Sequence, residues 1–159
     1  MPDTMTKEQR HYCMSRIRGM DTRPEMVVRR WLHSEGFRYS LHSRRLPGCP
    51  DIVLRRYHTV IFINGCFWHG HPGCDKFRMP RSNVEFWQEK IRRNKERDAQ
   101  EVAALEALGW NVIVVWECEL SRWARDLTLR NLVDAVRRNI EPESIHPIPL
   151  SVRKLSLKE

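Results

Sequence analysis

The sequence predicts a single α/β domain with a mixed β-sheet flanked by helices, and three observations predict it. Its 159 residues suffice for one buried core without requiring a second. The apolar period changes along the chain in the order helix, helix, three strands, long helix, strand, helix. Two of the β runs are joined by a connection of only four residues, which reads as a hairpin.

The elements follow in order. Residues 1–20 form an N-terminal arm in which Thr6-Lys7-Glu8-Gln9 can cap a short helix running to about Gly19. Two readings stand side by side for it. One is a surface helix at a chain terminus; the other is an arm whose Arg10, Arg16 and Arg18 meet phosphates. The main domain spans 21–140. It opens on Asp21-Thr22-Arg23-Pro24-Glu25, where Thr22 and Glu25 have capping-box spacing and Pro24 suits the first turn. Val27, Val28, Trp31 and Leu32 then make one apolar face, and Gly36 is a natural stop. Taken as a cap, Glu25 needs no catalytic role.

Phe37 to Leu41 alternates like a strand, and 42–50 is a loop with prolines and a glycine. Asp51 opens the short strand Ile52-Val53-Leu54, and Thr59 to Ile63 is its hairpin partner. Antiparallel pairing brings Asp51 to the far end of that partner, beside Gly65–Cys74. Ser82-Asn83-Val84-Glu85 has the spacing of a second capping box, starting the longest helix, to about Leu108. Its face runs Val84, Trp87, Ile91, Asn94, Asp98, Val102, Leu105, Leu108. A carboxylate in such a stripe requires a partner, so Asp98 is expected to meet a histidine, an arginine or metal-bound water. Trp110 to Trp116 is almost continuously apolar and reads as a buried central strand. A final helix covers about Leu127 to Ile140, and 141–159 is an irregular tail.

A formal charge of +8 points to a polyanionic partner, most simply nucleic acid. No apolar run approaches the roughly 20 residues of a membrane span, and the N-terminus lacks the apolar core of a signal peptide. Five cysteines, an odd number, suit a reducing cytoplasm better than a disulfide framework.

The chemistry concentrates in Gly65-Cys66-Phe67-Trp68-His69-Gly70-His71-Pro72-Gly73-Cys74. Cys66, His71 and Cys74, with Cys118 much later, make the donor set of a closed Cys₃His tetrahedron, the usual home of structural zinc. His69 is within reach to replace His71. The plainer reading is unligated thiols in a reducing cell. Cys13 and Cys49 read as ordinary residues. Phosphodiester hydrolysis needs a carboxylate to hold magnesium, and Asp51 is the candidate. Many nucleases carry Asp/Glu-x-Lys on the next strand; here that strand offers Phe62-Ile63-Asn64, with neither acid nor lysine. The base would then be His69, with Asp98 orienting it.

Leu46-Pro47-Gly48, Pro50-Asp51, Gly65-Cys66-Phe67-Trp68-His69, Glu85-Phe86-Trp87, Glu96-Arg97-Asp98 and Val115-Trp116-Glu117-Cys118 together resemble the very-short-patch-repair (Vsr) mismatch endonucleases. The likeness runs from Met14 to about Leu120. It implies a restriction-endonuclease-like fold with a structural zinc and magnesium-dependent nicking of double-stranded DNA. The nick falls beside the thymine of a T:G mismatch left by deamination of methylated cytosine. By the same resemblance, Asp51 and the carbonyl of Ile63 hold magnesium, His69 activates water, Glu25 acts through metal-bound water and Asp98 supports them. Cys66, His71, Cys74 and Cys118 hold zinc; Phe67, Trp68 and Trp87 wedge into the base stack, and Met14 enters from the other groove. Trp87 also lies on the apolar stripe of its helix, so a core role competes with the wedge. The chain departs from the pattern at Asn64, where some members have a histidine, and its metal loop is one residue longer.

The expectation is therefore a monomeric, cytoplasmic, nucleoid-associated nicking endonuclease, with mismatched DNA and mismatch-repair proteins as partners and no membrane. Two alternatives remain beside it: a Vsr-like nuclease acting on unmismatched or modified DNA, and an inert zinc-bearing DNA-binding domain.

Overall fold

In a computed structural model, which describes residues 5–139, the elements appear in the expected order. Four helices occupy Lys7–Ser15 (α1), Arg23–Ser34 (α2), Val84–Ala107 (α3) and Arg125–Arg138 (α4). Four strands occupy Ser40–Leu41 (β1), Ile52–Leu54 (β2), Thr59–Asn64 (β3) and Asn111–Trp116 (β4). They form one sheet in the order β1-β2-β3-β4. The sheet is mixed: β2 pairs antiparallel with β1 and β3, while β3 and β4 run parallel, joined by α3.

The period-2 alternation of β3 divides the core into two. Ile61 and Ile63 face Val28 and Leu32 of α2 and Leu129, Leu132, Val133 and Val136 of α4. Val60 and Phe62 face the other way, toward Leu105 of α3, Leu46 and Trp110. The sheet therefore lies between the α2/α4 pair and α3, with apolar contacts on both faces. Residue-for-residue register, Ile52 to Ile61 and Ile61 to Ile113, brings the end of β3 beside the start of β2.

Several expectations are corrected. The strand at 37–41 shrinks to Ser40–Leu41, because helix contacts recruit the residues before it. Phe37 N–H donates to the Leu32 carbonyl as α2 ends, its ring packs at 5.1 Å on Tyr57, and the Tyr39 hydroxyl donates to Arg29 O. β4 is an edge strand within the described sheet, not a central one. Its apolar continuity reflects helices covering both faces rather than strands on both edges. The capping box at α1 forms, Thr6 with Gln9, but the helix stops at Ser15, short of Gly19. At α2 Thr22 accepts from Glu25 N–H, whereas the Glu25 carboxylate turns to Asp21 N–H. The second box, at the start of α3, does not form: Asn83 sits in the left-handed region at φ 52° and its side chain caps nothing. Val84 and Leu108, the ends of the α3 stripe, are exposed, while Ile91 and Leu105 are buried. Ile140 and the 141–159 tail lie outside the described residues.

Candidate active site

The chain turns sharply where β3 ends. His69 N–H donates to Gly65 O, Gly70 N–H to Phe67 O and His71 N–H to Cys66 O, at 3.2, 3.3 and 2.9 Å. Gly70 makes the turn possible: its φ is 60°, and a Cβ there would lie 2.7 Å from Ile91 Cγ2 on α3. The turn separates two histidines that are two residues apart. His69 Nδ1 lies 2.6 Å from Asp98 Oδ2. The His71 ring stacks on Trp116, centroids 4.0 Å apart, and its Nδ1 lies 3.4 Å from Cys118 Sγ.

Of the two histidines open to the thiol group, His71 is thus the one that joins it. The ligand atoms of Cys66, His71, Cys74 and Cys118 all lie within 4.8 Å of one another. Tetrahedral bonds of about 2.3 Å place such atoms roughly 4 Å apart, so the set fits one soft, four-coordinate ion. Burial, reinforced by the neighbouring Cys66 and Cys74, pushes the Cys118 thiol up to about 12, and burial also raises Cys66. Cys74 goes the other way: against burial, it is lowered by hydrogen bonds from the Lys76 and Phe77 backbone and from the neighbouring thiols. Cys66 and Cys118 are thus the two that resist becoming thiolates unless a cation compensates them.

On the other side of the loop a cleft of about 1570 Å³ opens between α3, the ends of β3 and β4, and the N-terminal arm. Glu25, Asp51, Ile63, His69 and Asp98 all line it, and so does Met14, although α1 itself buries no residue. Asp51 Oδ2 accepts from Ile63 N–H at 2.7 Å, the contact that antiparallel pairing foretold. Burial raises the Asp51 pKa above the ordinary carboxylate value, against that hydrogen bond, and the Glu25 charge adds to the rise. A half-buried carboxylate within the field of a second acid, Glu25, is the kind of oxygen donor that a hard divalent ion takes.

Asp51 and Glu25 are linked by two residues that the sequence did not single out. Arg29 is buried and donates to Glu25 Oε2 and Asp21 Oδ1, each at 2.7 Å. Its Nη2 also meets His42 Nε2 at 2.9 Å, and His42 Nδ1 lies 3.9 Å from Asp51 Oδ1. The i,i+4 spacing of Glu25 and Arg29 was visible in the sequence. His42 was not, because a left-handed backbone at φ 46° aims it back into the cleft. Glu25 is 2 % exposed, its carboxylate shared among Arg29, Asp21 N–H and the Thr22 hydroxyl. The reciprocal box its spacing predicted is therefore incomplete, because the carboxylate takes Asp21 N–H rather than the Thr22 N–H, and Glu25 is also a wall of the cleft.

Phe67, Trp68 and Trp87 form one aromatic cluster, with Phe67 5.2 Å from Trp68 and 5.3 Å from Trp87 in edge-on contacts. All three are half-buried, and Lys90 Nζ lies 5.7 Å from the Trp68 ring. Asn94, the other polar break in the α3 stripe, holds the Trp68 carbonyl at 2.9 Å. The cluster flanks the His69–Asp98 pair. No described helix is long and apolar enough to cross a membrane.

A family model described as DNA mismatch endonuclease Vsr matches residues 2–76. A type II nicking enzyme of Xanthomonas oryzae pv. oryzae, V.XorIIP, is 48 % identical over 135 residues, covering 84 % of this chain and 98 % of that protein. A second, V.NmeAIP of Neisseria meningitidis, is 49 % identical over 78 % of this chain and 88 % of its own length. The DNA mismatch endonuclease Vsr of Escherichia coli is 42 % identical over 76 % of each chain.

Proposed function

Since the chain belongs to the Vsr endonuclease family and is a DNA-nicking endodeoxyribonuclease, we propose that its target is the T:G mismatch. It nicks double-stranded DNA beside the mismatched thymine left when methylated cytosine deaminates, on a restriction-endonuclease-like scaffold. The observation that carries this reading is the aromatic cluster flanking the His69–Asp98 pair. Inserting a wedge between paired base steps costs a few kcal/mol, and less where a mismatch already weakens stacking. Phe67 and Trp68 on a metal-stiffened turn keep their shape on insertion, so little entropy is lost. Trp87 backs them from α3. Met14, on the arm side of the cleft, approaches from the opposite groove. The arm at 1–20 would thereby act as a DNA clamp.

In this reading Asp51 and the Ile63 carbonyl would hold magnesium, and Cys66, His71, Cys74 and Cys118 would hold zinc. When bound, magnesium polarises the scissile phosphate and lowers the pKa of water. The residues of the chain do the rest. His69, its Nδ1 tied to Asp98, turns Nε2 toward the cleft to orient and deprotonate the attacking water. Glu25 acts at longer range through water, since its own oxygens are shared with Arg29 and the α2 N-terminus. The product is a nick with a 5′-phosphate and a 3′-hydroxyl.

A second reading, nicking tied to a restriction system on unmismatched or modified DNA, draws on the relatives named as type II nicking enzymes. Nicking rates on a T:G duplex and on its T:A and C:G counterparts separate the two. The mismatch reading expects the T:G duplex to be nicked far faster with magnesium present; equal rates on all three overturn it. On the T:G duplex, Asp51→Asn removes several kcal/mol of charge stabilisation and should slow nicking at least about a thousandfold.

A further inference from the structure

We propose that His42, held in its Nδ1–H tautomer by the buried Arg29 guanidinium, is the positioning residue that aims the Asp51 carboxylate at its metal. The inference rests on the reading of Asp51 as a metal ligand.

A guanidinium carries five donors and no acceptor. At 2.9 Å from Arg29 Nη2, His42 Nε2 must therefore be the accepting atom, and the ring proton sits on Nδ1. Nδ1–H faces Asp51 Oδ1 at 3.9 Å, the oxygen that the Ile63 N–H does not hold. The two carboxylate oxygens thus have different neighbours, Oδ2 the hydrogen-bonded β3 backbone and Oδ1 the imidazole edge. Because 3.9 Å exceeds a direct hydrogen bond, a small rotation of the carboxylate or one bridging water completes the contact. Arg29 cannot drift: Asp21 and Glu25 grip it at 2.7 Å each, and it is only 7 % exposed. His42 cannot drift either, since its N–H donates to the Asp51 carbonyl at 3.2 Å, locking the two residues backbone to backbone. Glu25 Oε2 lies 3.5 Å from the same Nε2, and Arg29 Nη2 donates to both, so the guanidinium is what joins the imidazole to Glu25.

Outer partners of metal-ligating groups typically influence affinity about 10–100-fold. The test is direct Mn²⁺ binding to the full chain, read by electron paramagnetic resonance, because hard Mn²⁺ prefers carboxylate oxygen to the thiol cluster. His42→Leu should weaken Mn²⁺ binding about tenfold or more. His42→Gln, which retains an acceptor for Arg29 and a donor toward Asp51, should restore most of it. Thermal unfolding of the metal-free variants reports folding separately: loss of affinity that follows loss of stability, with Gln no better than Leu, overturns the positioning role. Arg29→Met, which frees the imidazole to take the other tautomer, should mimic His42→Leu in affinity. Asp51→Asn separates the two levels. If it abolishes Mn²⁺ binding while His42→Leu leaves binding intact, the role of His42 fails alone; if it leaves binding intact, the reading of Asp51 fails first.

Discussion

His69 and His71 are two residues apart in one loop, yet they meet different neighbours. His71 is flattened against Trp116 and turned to a thiol, in a group whose donors are soft and mutually crowding. His69 is hydrogen-bonded to a carboxylate and lines the cleft that Glu25 and Asp51 also line. The residue type is the same and the spacing is minimal, so neither decides the role. What decides it is the reversal at Gly70, which sends successive histidines to opposite sides of the β3–α3 connection. One side gathers four donors within 4.8 Å of one another, a set that could hold a metal ion; the other lines the open cleft.

The most decisive way to break this comparison is to exchange the losses. His69→Ala should reduce nicking of a cognate duplex by about a hundredfold or more, the usual contribution of a positioned general base. It should leave the tightly bound metal, measured by elemental analysis, unchanged. His71→Ala should do the reverse at the level of the metal, releasing it and lowering the melting temperature, because binding at a structural site is folding free energy. If His69→Ala releases the metal and His71→Ala does not, the two roles are interchanged.

Gly70→Ala attacks the pivot itself. A side chain there must tolerate both a left-handed backbone and the Ile91 methyl group. A destabilisation of about 1–3 kcal/mol in chemical denaturation is expected, with loss of both functions. An unchanged midpoint would mean that the loop reverses by other means.

The smallest effect concerns pH. Burial raises the Asp51 pKa, so the native state keeps a proton that the unfolded chain has already released. Between the ordinary carboxylate pKa of about 3.9 and the raised native value, the metal-free protein therefore loses stability as pH rises. The penalty persists at neutral pH. Asp51→Asn should remove it, giving a metal-free protein that melts slightly higher at pH 7 but equally at pH 3, while nicking is lost. In the unsubstituted protein, nicking should fall as pH drops through the raised value, because the proton competes with the metal. A stability gain at pH 3 instead would assign the effect to packing.

Much of the architecture was legible in one dimension. Periodicity placed α2, β2, β3 and α4, since their apolar residues are spaced by the geometry of the element itself. Hairpin logic put Asp51 at the end of β3, where it accepts from Ile63 N–H. The odd carboxylate in the α3 stripe announced a partner for Asp98, and His69 is that partner. The strand at 37–41 and the second capping box misled because both depend on which neighbour wins a backbone group. Helix α2 took Phe37, and a left-handed Asn83 left no cap.

By itself the sequence determined the donor types, the hairpin that brings Asp51 to the metal loop and the family to which the chain belongs. Those properties follow from local spacing and chemical identity. Only the tertiary structure decided which histidine joins the thiols, that β4 forms an edge, and that Arg29 and His42 stand between Glu25 and Asp51. Each of these depends on directions set by one or two backbone dihedrals, at Gly70 and at His42, and on what packs against them. A residue letter fixes what a side chain can bond; only the folded backbone fixes where it points.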